Sequence, residues 1–195
     1  MDSKDWYTHC RHAIEAEFGS DSGLFIDLLA ATSPRKQVTA NWRLAFYIYH
    51  KWKGHKPYYE YKGKQDYQWD RWFDSIPGLM RSQYPNVKRA LLRQPLSGNK
   101  VSAFARALKG DLTSVVIDVW ICRWYDFQGT LTDKRYAELV ERIKQEAEQC
   151  CMATAEYQAM IWMMCRRKYG KTDRSYLHTP DRGQKYFEFY FGGNG

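Results

Sequence analysis

Two short stretches carry residue types suited to chemistry. Pro95-Leu96-Ser97-Gly98-Asn99-Lys100 lies between two helical segments. Its glycine permits a tight turn with positive φ, after which the first N–H groups of the next helix point outward. Such amides, together with the helix dipole, bind a phosphate. Val115-Val116-Ile117-Asp118-Val119-Trp120-Ile121 sets one carboxylate in an otherwise apolar run. An acid there costs free energy unless it caps a helix or performs a function. Lys100 and Asp118 stand 18 residues apart, with one helix and a turn between them. That path doubles back and is expected to bring amine and carboxylate to one cleft.

Other candidates have an ordinary role beside the functional one. Trp120, Trp124 and Tyr47 suit a base pocket, although aromatics at helical spacing more often build a core. Arg166-Arg167-Lys168 either touches phosphate or complements the end of a helix. The five histidines are too scattered for a ligand set, so no metal is expected. Cys10, Cys122, Cys150, Cys151 and Cys165 are odd in number and lack CxxC spacing. They are expected to be reduced thiols of a cytoplasmic protein.

The 195-residue chain has a net charge of +8, and that charge is unevenly placed. Residues 34–109 hold sixteen Lys/Arg against four acids, a net +12, so the remainder carries −4. Aromatics reach 16%, with eight Trp and fifteen Tyr. A basic block interleaved with aromatics suits a polyanion whose bases stack, and this favours nucleic acid over a merely solvated basic face. Apolar runs such as Val115–Ile117 are too short to span a bilayer, and the acidic start Met1-Asp2-Ser3-Lys4-Asp5 lacks the apolar region of a secretory signal. No membrane is expected as partner.

The elements that must position these groups read as mostly α. Helical spacing covers residues 5–18, and Gly19-Ser20-Asp21-Ser22-Gly23 breaks it. Leu24–Ala31 is an apolar run that Pro34 stops. Val38–Trp52 reads as a long aromatic-rich helix, and residues 53–67 as an irregular basic insert. Helix is expected again over Tyr67–Ser75, Asn86–Arg93 and Lys100–Leu108. A Gly110-Asp111 turn then leads into a segment from Leu112 to Tyr125. Thr132-Asp133 caps a charged helix to about Gln149, and Thr154–Tyr169 follows with Met160, Ile161, Met163 and Met164 as an apolar face. The tail Tyr186–Phe191 alternates aromatics like a short strand or strap.

Residues 24–126 resemble the helix-hairpin-helix DNA glycosylase superfamily, with its endonuclease III-like fold. The hairpin consensus Leu-Pro-Gly-Val-Gly-x-Lys-Thr-Ala aligns without gaps onto Gln94 to Ser102, keeping Pro95, Gly98 and Lys100. The family's Val-Asp-Thr-His-Val-x-Arg falls on Ile117 to Arg123, keeping Asp118 and Arg123. Leu28-Leu29-Ala30-Ala31-Thr32-Ser33, followed by Asn41 and Ala45, is similar to the family's early helix pair. There are departures: Leu96 replaces the first hairpin glycine, Val119-Trp120 replaces Thr-His, and Ser33-Pro34-Arg35-Lys36 lacks a gap-filling Gln. No four-cysteine cluster follows near the C-terminus, so neither an iron–sulfur cluster nor another cofactor is expected.

The resemblance implies a two-lobed helical fold in one glycosylase-like domain, 1–195. Residues 34–130 would form a basic lobe carrying hairpin 95–100 and Asp118, and 1–33 with 131–195 a second lobe. It implies a monomeric enzyme on double-stranded DNA that flips out a damaged, modified or hypermodified base and hydrolyses its N-glycosidic bond. Asp118 would be catalytic. Lys100 would be either the Schiff-base amine of a bifunctional enzyme or a phosphate-binding lysine. Gly98, Asn99, Val101, Ser102, Arg35, Lys36, Lys88, Arg89 and Arg123 would contact DNA. A non-catalytic helix-hairpin-helix module and an enzyme modifying bases of viral DNA are the alternatives. A bulky phage-type pyrimidine as target would place the protein in phage biology or antiphage defence.

Overall fold

The computed structural model describes residues 5–54 and 65–171. These are mostly helical, with no strand among the described residues. Most of the basic insert and the whole tail Tyr186–Phe191 lie outside them. The backbone gathers into two units, one holding residues 5–13 and 98–171, the other 14–54 and 65–97. This differs from the expected lobes at 34–130 and 1–33 with 131–195. The first division falls inside one helix, α1 (Trp6–Phe18), and the second inside the hairpin, between Ser97 and Gly98. Charge grouped the residues in sequence, whereas apolar faces decide which helices pack together.

The unit of residues 14–97 is built on α2 (Ser22–Thr32), which packs against α3 (Val38–Gly54) and α5 (Tyr84–Leu91). Leu24, Phe25, Ile26, Leu28, Leu29, Ala30, Ala31 and Thr32 are all buried, as an apolar helix without a polar stripe requires. Phe18 stacks on Phe25 at 3.8 Å between ring centres, and Trp42 meets Phe25 edge-on at 4.7 Å. Pro34 does stop the helix: α2 ends at Thr32, and its last turn is closed by the Ser33 amide on Ala30 O (3.2 Å) together with side chains. Asn41 Nδ2 donates to Leu29 O (2.9 Å), Thr32 Oγ1 to Leu28 O (2.8 Å), and Gln83 Nε2 to Thr32 O (2.7 Å). The bonds to Leu29 O and Thr32 O satisfy carbonyls that the helix end leaves orphaned, and the Thr32 hydroxyl back-bonds one turn along the helix. A short α4 (Gln65–Asp74) also packs on α5. Helix α5 starts at Tyr84 rather than the expected Asn86, because Pro85 fits the first turn, where no amide bond is lost.

The other unit holds α6 (Asn99–Leu108), α7 (Val119–Trp124), α8 (Asp133–Gln149) and α9 (Thr154–Lys168). Val115, Ile117 and Ile121 pack with Leu139, Ile143 and Ala147 of α8 and Tyr157 and Ile161 of α9. Thr132 caps α8 as expected, accepting the Arg135 amide at 3.4 Å. Of the apolar face expected on α9, Ile161 and Met163 are buried, but Met164 is 45% exposed. No helix among the described residues is long and apolar enough to cross a membrane.

Each unit also holds its own cluster of bonded ionisable groups. Asp21 accepts from Tyr49 (2.9 Å) and pairs with Lys53 (2.5 Å) and Arg93 (3.2 Å). The Lys53 and then the Tyr49 hydrogen bonds hold its carboxyl below the usual range. Glu146 accepts from Tyr125, from Tyr157 (3.0 Å) and from Arg142 (3.0 Å). Burial works to raise its carboxyl, but these three donors outweigh it and leave it lowered. Burial, and then the bonded carboxylates, push Tyr49 and Tyr157 up to about 12.

A pH dependence follows. Groups lowered in the fold contribute stability above their unfolded values near 4, and that stability is lost as acid protonates them. The raised tyrosines contribute below about 10, and theirs is lost as pH climbs toward 12. Thermal unfolding midpoints should therefore fall below pH 4 and above pH 10. Tyr49→Phe should flatten part of the alkaline limb, and an unaltered limb would remove Tyr49 from this account.

Candidate active site

Asp118 ends the buried run Val115-Val116-Ile117 and is the N-cap of α7, with extended φ −120° and ψ −175°. Its Oδ1 accepts the amides of Trp120 (2.8 Å) and Ile121 (3.1 Å). Its Oδ2 accepts the indole N–H of Trp162 on α9 at 2.8 Å. All three partners donate, so the half-buried carboxylate is held entirely as an acceptor.

An arginine–aromatic ladder continues from that indole. Arg166 lies 4.6 Å from the Trp162 ring centre and 5.5 Å from that of Trp120. Arg123 lies 4.6 Å from Trp120 and 5.6 Å from Tyr169, whose ring is 6.0 Å from Trp120. Guanidinium over an aromatic face is attracted by the ring quadrupole. The Arg123 guanidinium is exposed, with its donors directed by stacking rather than by an ion pair among the described residues.

Two thiols lie near the carboxylate. Burial, and secondly the Asp118 charge, push the Cys122 thiol up, and burial likewise raises Cys165. Both are thus held as thiols, poor nucleophiles. All five cysteines are free, and no three metal-ligating side chains gather among the described residues.

The connection of residues 95–100, expected as a hairpin, is divided between the two units. On the side of residues 14–97, Ser97 N–H donates to Asn86 Oδ1 (2.8 Å), Asn86 Nδ2 to Ser97 O (3.0 Å), and Arg89 Nη1 to Pro95 O (3.2 Å). On the other side, Gly98 is the N-cap of α6 with φ +88° and ψ 133°, a backbone that strains any L side chain. A Cβ there would meet nothing within 4 Å, so open space faces the turn. Gly98 O accepts the Ser102 amide at 3.0 Å, and the amides of Asn99, Lys100 and Val101 have no helical acceptor. Val101 itself is buried, and Asn99 Nδ2 donates to Asp133 Oδ1 at 3.2 Å.

The structure therefore brings Asp118, Trp120 and Arg123 together. Lys100 shares their unit, on the first turn of α6, but no ion pair joins it to Asp118. Trp120 is stacked by arginines, and Trp124 packs on the α7–α8–α9 core. In the other unit Tyr47 is buried, Lys36 Nζ donates to Gly78 O (2.6 Å), Lys88 stands 5.5 Å over the Trp69 ring, and Arg35 and Arg89 are exposed. Sequence reasoning missed Trp162 and Tyr169 as members of the site. The i, i+4 pair Trp162–Arg166 was the one local signal for Trp162, and Tyr169 had none.

Residues 1–169 match the model of a family of unknown function (DUF7178). No curated protein and no solved structure matches the chain.

Proposed function

The chain belongs to that family, and on this premise we propose from its own residues that it is a DNA glycosylase of the helix-hairpin-helix kind. One observation carries the reading. Asp118, the single acid of an apolar run, is fixed at the start of α7 within the same unit as the exposed α6 N-terminus that follows the Gly98 turn. The first group suits chemistry at a sugar, and the second suits a phosphate.

The target base would leave the stack, since its glycosidic bond is out of reach inside a duplex. Asp118 stabilises the oxocarbenium-like sugar and orients the attacking water, and the buried Val115, Val116, Ile117 and Ile121 strengthen that electrostatic effect. Arg123 and the α6 amides hold phosphate. The target is a damaged, modified or hypermodified base, with bulky phage-type pyrimidines as the first candidates.

A non-catalytic DNA-binding module is the second reading, favoured by the fact that the bonds from Trp120, Ile121 and Trp162 already engage both oxygens of Asp118. A panel of normal and phage-modified duplexes separates the readings. Released free base and an alkali-labile abasic site are expected; tight binding with no release would leave the module. An altered base that stays attached would instead indicate a base-modifying enzyme.

The same panel fixes the role of Lys100. Because it stands in the first turn of α6, beside amides that have no helical acceptor, we expect it to hold phosphate and not to attack the sugar. Borohydride should then trap no protein–DNA adduct, and Lys100→Gln should weaken binding with little change in the rate of the bound complex. An adduct formed by the wild type and lost in Lys100→Gln would establish the lyase route instead.

A further inference from the structure

We propose that Trp162 is the positioning residue of the site: its indole N–H fixes the Asp118 carboxylate in the orientation from which it serves the reacting sugar. This rests on the glycosylase reading of Asp118 and adds to it a residue outside the hairpin and its helix.

The geometry is specific. The two amides of α7 engage only Oδ1, so the cap alone gives Oδ2 no partner. Trp162 supplies the third bond, 2.8 Å to Oδ2, from a helix 44 residues further along. With both oxygens engaged, rotation about the last side-chain torsion breaks at least one bond, and the carboxylate plane is held. The indole is itself constrained: Arg166 stacks 4.6 Å from its ring centre, and the Trp6 ring stands 6.2 Å away. An indole offers one N–H and no acceptor, so it cannot take a proton from Asp118. Its action is orientation alone.

The substitution that tests this is Trp162→Phe, which removes the donor and keeps an aromatic ring. Single-turnover base release should slow by about 10- to 100-fold, as for a lost hydrogen bond to a charged group. DNA affinity and circular dichroism should stay at wild-type values, since the effect falls on the bound complex and not on binding. In Asp118→Asn the amide that caps α7 turns its NH2 toward the indole, so the bond is already lost. Asp118→Asn/Trp162→Phe should therefore be no slower than Asp118→Asn alone. Wild-type rates in Trp162→Phe, or a double variant slowed by the product of the single effects, would overturn the proposal.

A second measurement needs neither activity nor a folded Trp162→Phe. The Nε1–H resonance of Trp162 in 15N-tryptophan-labelled protein should move when Asp118 becomes Asn, and an unmoved resonance overturns the proposal. If the wild type releases no base from any duplex while that resonance does move, the glycosylase reading fails and the bond stands as a structural one.

Discussion

Asp118→Asn should slow base release by about 10²- to 10⁴-fold, the range for losing a charge that acts only as the sugar becomes cationic. The substitution preserves size and the cap: an Asn oxygen accepts the Trp120 and Ile121 amides as Asp118 Oδ1 does at 2.8 and 3.1 Å. It removes the negative charge and the bond to Trp162. Folding should be weakened by about 1.5–3 kcal/mol, the range for one lost hydrogen bond to a charged group. Affinity for an uncleaved duplex should survive, or rise slightly, since a carboxylate repels phosphate. Rapid-quench release of base, read beside a binding titration, separates the two quantities. Equal release by variant and wild type would leave Asp118 as a helix cap and move the protein to the binding-module reading.

Much of the fold was legible because the relevant signals are local. The 3.6-residue apolar spacing of α3 and the Thr132 cap of α8 are written in neighbouring residues, and both elements form as expected. Asp118 was legible for the same reason: a short acid inside an apolar run either caps or acts, and here its cap is seen. The division into units was not. The apolar period of α1 runs through Ala13 and Ile14 without interruption, so nothing local marks that its two ends serve different cores. The partner of Asp118 Oδ2 was not legible either. Trp162 sits among methionines on α9, where an aromatic reads as packing, and only the tertiary fold turns its N–H toward an acid 44 residues away.

Duplex affinity should be the most salt-sensitive property of the protein. Each phosphate neutralised by Lys or Arg releases condensed counterions, so the logarithm of the affinity falls linearly with the logarithm of salt. Residues 34–109 carry sixteen Lys/Arg against four acids. Not all of those cations are equally available. Lys36 donates to the Gly78 carbonyl, Lys53 and Arg93 pair with Asp21, and Arg106 lies 3.4 Å from Asp111. Arg35, Arg71 and Lys109 in this block, with Arg123 beyond it, are exposed, Arg89 is exposed but donates to the Pro95 carbonyl, and Lys88 and Lys100 are half-buried. If about six phosphates are contacted, affinity should drop about a thousandfold between 50 and 200 mM salt. Removing one exposed cation, as in Arg123→Gln, should lower the slope by about one and weaken binding to every sequence alike. A slope near zero for the wild type would exclude a polyanion partner, and with it both the excising and the merely DNA-binding readings.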